Sequence, residues 1–479
     1  MAGANATIVV VINGTSTAYS WTSLAAALEA DCKATGACLA NPSRDVDVVW
    51  VLFGTLQILL LLIGLAFRAT LGAKLLHVAS LATLVSFVYG FALAFGAGDG
   101  FIGHNGFALS STAFNDASGL HLAQWFQQLT VSLVLTMILA LGLERLLAPS
   151  SLAAYIAFVL GVVHPPVAHA VWASDGWLYG NHLFGTGVVD LSGSAVLHVT
   201  AGAAVGVISV LLRRDRSVVW HAPVAPHRSL ATLFIWIGWY GLIYISTPAI
   251  HGDCATVSLR GIENLTVAAA TSGLLSSAIH WHWRLLDDDA MHNGVLSGLV
   301  AISASTSAVH PLAAALIGAG AAVLYAVGTH LLYKWDVFGA TTDVVVVHLG
   351  NGLYGILIAS LCVTSHRLDA AFKCSWATLL SKESHRIGCG LWEPCENSLG
   401  AKLVAANVIG GSVILLWTTA LCTAMAAPLV HFGYLHAPAK DFSVFDDMFS
   451  MTSDIEGSTY HDLDDEFASP ESPTSRGLL

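Results

Sequence analysis

Apolar residues in this chain run in long blocks and do not alternate with polar ones. About twenty consecutive apolar residues suffice for a helix to cross a bilayer core. Blocks of that kind fall at roughly 48–68, 74–96, 122–143, 151–172, 188–212, 229–249, 264–284, 291–309, 312–333, 343–364 and 401–432. The pattern predicts an all-α polytopic membrane protein with eleven transmembrane helices. Gly, Ser and Thr interrupt several blocks, which suits helices packed closely in lipid.

Polar residues between the blocks set an orientation. Arg68 and Lys74, Arg145, Arg213, Arg214, Arg216 and Arg228, then Arg284 and Lys334, all fall in alternate loops. The intervening short loops hold only Arg260. Loops rich in Lys and Arg stay cytoplasmic, so the N-terminus is expected outside and the C-terminus inside. Spans one to five and six to ten would then be two halves of opposite orientation, an inverted 5+5 repeat with one extra helix. The expected domains are an extracellular segment 1–47, a membrane domain 48–432 and an acidic cytoplasmic tail 433–479.

Composition supports the class and removes others. The chain of 479 residues is 55% hydrophobic and 10% charged, against about 25% charged in soluble domains. Most of its formal charge of −12 is in the tail, where residues 440–479 hold ten acidic and two basic groups. Nucleic acid is not an expected partner; membrane lipid is. Cys362 and Cys422 lie in apolar blocks. Cys32, Cys38, Cys254, Cys374, Cys389 and Cys395 fall in segments read as exterior, compatible with disulfides of open connectivity. Asn5, Asn13 and Asn264 head glycosylation sequons on the same side. No cleavable signal peptide is read in residues 1–19.

Two histidines stand out. His198 lies in Asp190-Leu-Ser-Gly-Ser-Ala-Val-Leu-His198 and His348 in Asp343-Val-Val-Val-Val-His348, each inside an apolar block. An ionisable group at membrane depth is costly, so it faces a bundle interior or a pore. Asp190 precedes His198 by eight residues and Asp343 precedes His348 by five, too far along a helix axis for direct pairing. Both aspartates read as helix caps, whose carboxylates suit the unpaired N–H groups of a first turn. Neutral imidazoles in an apolar pore pass a proton or bond a small polar solute and disfavour a hydrated cation. His164, His169, His280 and His282 read as packing or boundary residues. No nucleophile–base pair, phosphate loop or clustered metal ligands appear, so an enzyme, a metal centre and a cofactor are not expected.

These residues resemble the ammonium transporter family, over about 48–432. The match rests on the Asp190 to Gly202 signature, Asp343 to His348, Phe126-Gln127 through Arg145, Pro166 to Trp172, Gly238-Trp239-Tyr240-Gly241 and Asn293 to Ile302. Also similar are Gly90 to Gly96 and Gly100 to Gly103. The resemblance implies a plasma-membrane homotrimer with one pore per subunit. It implies that ammonium is held in an outer vestibule, loses a proton and crosses as ammonia past the twin histidines. By position, Trp172 matches the vestibule tryptophan, whose ring face attracts a cation, and Ser246 the hydroxyl that accepts from the bound ion.

The sequence also departs from that family. Two stacked phenylalanines normally close the pore below the vestibule. Counting from Gln127, the first position holds Thr130; counting from Trp239, the second holds Leu242. The tail carries Ser453, Ser469 and Ser472 among acidic residues, which reads as a solvated tail or as phosphorylation sites. The altered gate and the tail motivate a second reading, an ammonium sensor with little flux.

Overall fold

A computed structural model of the chain describes residues 7–12, 15–20, 42–68, 74–115, 119–212, 227–283, 289–381, 388–393, 395 and 398–435. Asn5, Asn13, Cys32, Cys38, Arg213, Arg214, Arg216, Arg284 and the tail with Ser453, Ser469 and Ser472 lie outside the described residues.

The membrane region is helical throughout. In chain order its long helices are α1 (Asp45–Arg68), α2 (Leu75–Phe95), α3 (Leu120–Leu143), α4 (Pro149–Trp172), α5 (Ser194–Leu212) and α6 (Arg228–Ser246). They continue with α7 (Cys254–His282) and α8 (Asp289–Ile302), then α9 (Pro311–Lys334), α10 (Gly339–Cys362) and α11 (Leu399–His431). Each lies on one of the apolar blocks. Nine of them, all but α7 and α8, are long and apolar enough to cross a membrane. The exceptions have different causes. Helix α8 has only 14 residues and is buried along most of its length; α7 mixes Ser, Thr, Asn and Gly into its apolar run and buries Ser258, Ser272 and Ser276. Walled by protein, α8 needs no continuous apolar surface; α7 still exposes Leu259, Leu274 and Trp281.

Apolar side chains cover the outside of the bundle and polar ones sit within it. On α1, Val49, Leu52, Leu56, Leu59, Ile63 and Phe67 form an exposed stripe, while Val51, Ile58, Leu61 and Leu65 on the other face are buried. Helix α1 packs along α6, joined near its N-terminus by Trp50 Nε1 donating to Thr247 O at 3.1 Å. Gln127, Gln128, Asn264, Ser297 and Thr306 are buried inside. Soluble proteins invert this arrangement; lipid makes it the stable one.

Outside the bundle, Thr7–Ile12 pairs antiparallel with Thr15–Ser20, a hairpin not foreseen in the N-terminal segment. Disulfides join Cys254 to Cys374 and Cys389 to Cys395, while Cys362 and Cys422 are free, as their apolar settings suggested. Cys389, Glu393 and Cys395 place three donor atoms within 4.8 Å of one another. With both sulfurs in a disulfide, that cluster has no thiolate to offer a metal. One sequon fails: Asn264 is inside α7 and fully buried, and its Nδ2 donates to Thr306 O at 2.6 Å and Val309 O at 2.9 Å. A side chain held there cannot carry a glycan.

Candidate functional site

The two histidines meet. His198 Nδ1 and His348 Nδ1 are 3.1 Å apart, one donating to the other. Their rings stack at 5.1 Å with 16° between planes. His198 stacks on its other side against Trp239 of α6, at 5.2 Å and 16°. The Trp239 Nε1 points to Ser303 Oγ at 3.3 Å. His198 is fully buried, and among the described residues its Nε2 has no hydrogen-bond partner.

Local backbone explains how residues 150 apart in the chain come together. Each histidine is in a short π-helical stretch, Ser194–Val199 in α5 and Val346–Gly350 in α10. Such widened turns are frequent at functional sites; two more occur at Ser86–Gly90 and Val159–Val163. Each histidine is followed four residues later by a glycine, Gly202 and Gly352. A Cβ on Gly202 would sit 2.8 Å from Leu349 Cβ, and one on Gly352 would sit 2.5 Å from Ser194 O. The missing side chains let α5 and α10 cross in contact beside the imidazoles.

Above the pair is a cavity of ≈ 60 Å³, lined by Trp172, Asp190, Ser192 and Ser246 among others. Hydrogen bonds fix which atoms it presents. Trp172 Nε1 donates to Asp190 O at 2.7 Å, so the indole N–H is occupied while the ring stays on the cavity wall. Ser246 Oγ donates to Leu242 O at 2.6 Å, so its lone pairs remain free to accept from a solute. A wider funnel of ≈ 350 Å³ shares Trp172 and Phe95 with this cavity.

Asp190 is a cap, as read from sequence. Its carboxylate accepts Gly193 N at 3.1 Å and Ala195 and Val196 N at 2.9 Å, ordering the first turn of α5. Leu191 N and Ser192 N then bond Ala304 O and Ser303 O beyond α8, at 3.1 and 2.9 Å. Asp343 departs from the cap reading. Its oxygens accept Tyr325 Oη at 3.0 Å and Tyr333 Oη at 2.8 Å, both from α9, because the cap position falls on Thr341 and leaves Asp343 inside the first helical turn. Thr130 and Leu242 are both buried. Thr130 Oγ1 returns to Gln127 O at 2.7 Å. Gln127 and Ser246 line the outer cavity, and Thr130 and Leu242 lie about one turn along the same helices, with neither lining it. Among the histidines read as packing residues, His164 and His169 are fully buried, His280 bonds Ser276 O at 2.8 Å and His282 is exposed.

A second cavity of ≈ 240 Å³ lies beyond the pair, lined by His348, Trp239, Arg68, Asp289, Asn293 and Asp343 among others. Arg68 Nη2 donates to Asn293 Oδ1 at 2.7 Å, and Asn293 Nδ2 to Tyr325 Oη at 3.0 Å. Arg228 pairs with Asp289 at 2.6 Å. From the sequence Arg68 and Arg228 serve only as orientation markers; Arg68 lines this chamber, and Arg228 pairs with Asp289 on its wall. Sequence reading also missed Phe372, Ser375 and Trp376 on the outer cavity wall. Their signal was the aromatic residues flanking Cys374, in a loop too polar to be read as a span.

Comparison with known proteins agrees on one family. The profile of the Ammonium Transporter Family matches residues 47–448. "Ammonium transporter 1 member 3" of Solanum lycopersicum is 29% identical over 391 residues, covering 74% of this chain and 82% of that one. "Ammonium transporter 1 member 2" of Arabidopsis thaliana is 28% identical over 436 residues, covering 81% and 78%. Among solved structures, a "Sensor Amt Protein" superposes with a TM-score of 0.70 at 21% identity, covering 84% of this chain and 96% of that one. Saccharomyces cerevisiae Mep2 gives 0.68 at 20% identity, covering 82% and 89%. At those identities the structures speak for the fold alone.

Proposed function

The chain belongs to the ammonium transporter family, and from that premise we propose that it moves ammonium across the plasma membrane by binding the ion outside and conducting ammonia. The observation that carries this is the stacked His198–His348 pair, His348 opening on a polar cavity and His198 following Asp190 and Ser192, which line a cavity offering a ring face and a hydroxyl acceptor.

Ammonium donates four hydrogen bonds and accepts none. Trp172 contributes a cation–π face, worth about 0.5–2 kcal/mol depending on desolvation, and Ser246 contributes lone pairs. Below them Thr130 and Leu242 replace an aromatic closure, and the route becomes apolar and buried. A charged ion pays heavily there, so the proton leaves and ammonia passes His198, then His348. The imidazole pair offers a path for the proton as well.

Eleven spans are the reading that fits the helices α1–α11, with α8 crossing inside the protein. The recurrence of π-helical turn, histidine and glycine in α5 and α10 supports two halves of inverted orientation. Disulfides persist where thiols are oxidised, so Cys254–Cys374 favours an outward-facing Trp172 cavity and a cytoplasmic Arg68 chamber. Within the same reading the protein is a homotrimer, glycosylated at Asn5 and Asn13, with tail serines 453, 469 and 472 open to phosphorylation.

The absence of aromatic residues at Thr130 and Leu242 keeps a second reading, an ammonium sensor with little flux. One experiment separates the two. Ammonium-evoked current is recorded from purified protein on a supported membrane, for wild type, His198→Ala and His348→Ala. A wild-type current lost in both variants establishes conduction through the pair. Ammonia-driven pH change in liposomes without current makes the protein a gas channel. Neither signal, with ammonium still bound, makes it a sensor.

A further inference from the structure

The outer cavity has a wall that the family signature motifs do not contribute. Between α10 and α11, the short helices Ser365–Lys373 and Trp376–Ser381 fold back over the bundle. They bring Phe372, Ser375 and Trp376 onto the cavity that holds Trp172 and Ser246. Two anchors hold this segment. Cys374, directly before Ser375, is bridged to Cys254 at the start of α7. Trp376 Nε1 donates to Ile245 O at 2.8 Å, the residue before Ser246. As with Trp172, the indole N–H is consumed by a backbone carbonyl while the ring lines the cavity.

The acceptors on these walls are unused. Among the described residues, Ser192 Oγ, Ser375 Oγ and Gln127 Oε1 are buried atoms without a hydrogen-bond partner. All three residues line the cavity. Ser192 and Gln127 are only 5% and 6% exposed. Such atoms also occur elsewhere in the bundle, Ser258 Oγ and Ser272 Oγ among them, but these three share one cavity, where a ligand can make the missing bonds. In ≈ 60 Å³ an ion reaches several walls at once. With Ser246, four acceptors then face a solute that has four tetrahedral N–H donors.

We propose that the disulfide-anchored segment is half of the cation site: Trp376 is a second aromatic wall, and Ser375 with Ser192 gives the acceptors that select ammonium over its N-alkylated analogues. This rests on the ammonium reading of the Trp172–Ser246 cavity and extends it to residues outside that pair. Selectivity follows from donor count. Methylammonium has three N–H groups, so it gains less from a fourth acceptor and must also place a methyl group among hydroxyls.

The test uses the full-length purified protein on a supported membrane. Ammonium chloride gives the half-saturating concentration, and methylammonium chloride serves as competitor of the ammonium current. Ser192→Ala and Ser375→Ala each raise the half-saturating ammonium concentration on the order of tenfold, the range of one hydrogen bond to a charged group. Saturating current is unchanged, methylammonium competes with relatively higher potency, and Ser375→Thr restores the wild-type ratio. Trp376→Leu weakens both cations by a similar factor, because a ring face does not count N–H groups. Unchanged ammonium affinity and unchanged competition in both alanine variants overturn the proposal, whether or not their thermal stability falls. If Trp172→Leu and Ser246→Ala are equally silent in a conducting protein, the cavity reading itself has failed.

Discussion

The chambers on either side of the histidine pair use polarity in opposite ways. The outer one is small, and what it offers is aromatic faces and unused hydroxyl or amide oxygens; its one carboxylate, Asp190, is bonded to three backbone amides. The inner one is about four times larger by volume, ≈ 240 against ≈ 60 Å³. It holds formal charges, Arg68, Asp289 and Asp343, bonded to Asn293, Arg228 and two tyrosines. On the function proposed above, an outer site made of neutral acceptors would recognise a donor-rich cation by its N–H groups. The inner chamber pairs each of its charged groups with at least one partner and, among the described residues, leaves Arg68 Nη1 over as a donor, which suits an ammonia lone pair on its way out. The protein thus separates recognition from charge.

The largest test of that separation is on the inner side. Replacing Asn293 with Leu leaves the Arg68 guanidinium without its 2.7 Å acceptor, costing about 1–3 kcal/mol or more for a charged group. The thermal unfolding midpoint of the purified protein drops, while the half-saturating ammonium concentration stays as in wild type. A raised half-saturating concentration with unchanged stability would place substrate recognition in the inner chamber. Next in size is Trp172→Leu. Loss of about 0.5–2 kcal/mol of cation–π attraction raises the half-saturating concentration roughly two- to thirtyfold, with little change in thermal midpoint. The smallest effect belongs to the funnel rim. There Asp175 accepts Gly98 N at 3.0 Å, and the amides of Phe101 and Ile102 hold the exposed Asp99 carboxyl below its ordinary range. Asp175→Asn weakens ammonium capture by less than about twofold, and only at low ionic strength, where surface charges act at longer range.

Much of this site was legible because its chemistry conflicts with its surroundings. His198 and His348 stand out as titratable groups in apolar blocks, and Trp172, Ser246 and Asp190 line one cavity together. The helices were legible because lipid demands long apolar runs. What escaped reading depends on three-dimensional contact. The π-helical turns have no separate hydrophobic period. Asp343 looked like Asp190, yet took tyrosine partners from a helix that passes nearby only in the fold. Asn264 carried a surface motif into the core, since three residues of sequence cannot report burial. Phe372, Ser375 and Trp376 sit in a connecting segment, where sequence patterns say least about neighbours.

The tether between Cys254 and Cys374 also places a constraint on how the chain is made. The two cysteines are 120 residues apart in sequence, with α7, α8, α9 and α10 between them. A ribosome adding about 5–20 residues per second delivers the second thiol roughly 6–24 s after the first. Throughout that interval Cys254 is an unpaired thiol, open to capture by Cys32 or Cys38, which precede it in the chain. The outer wall of the cavity is therefore the last part of the site to be completed during synthesis, and its assembly depends on the oxidising machinery of the compartment as much as on the sequence.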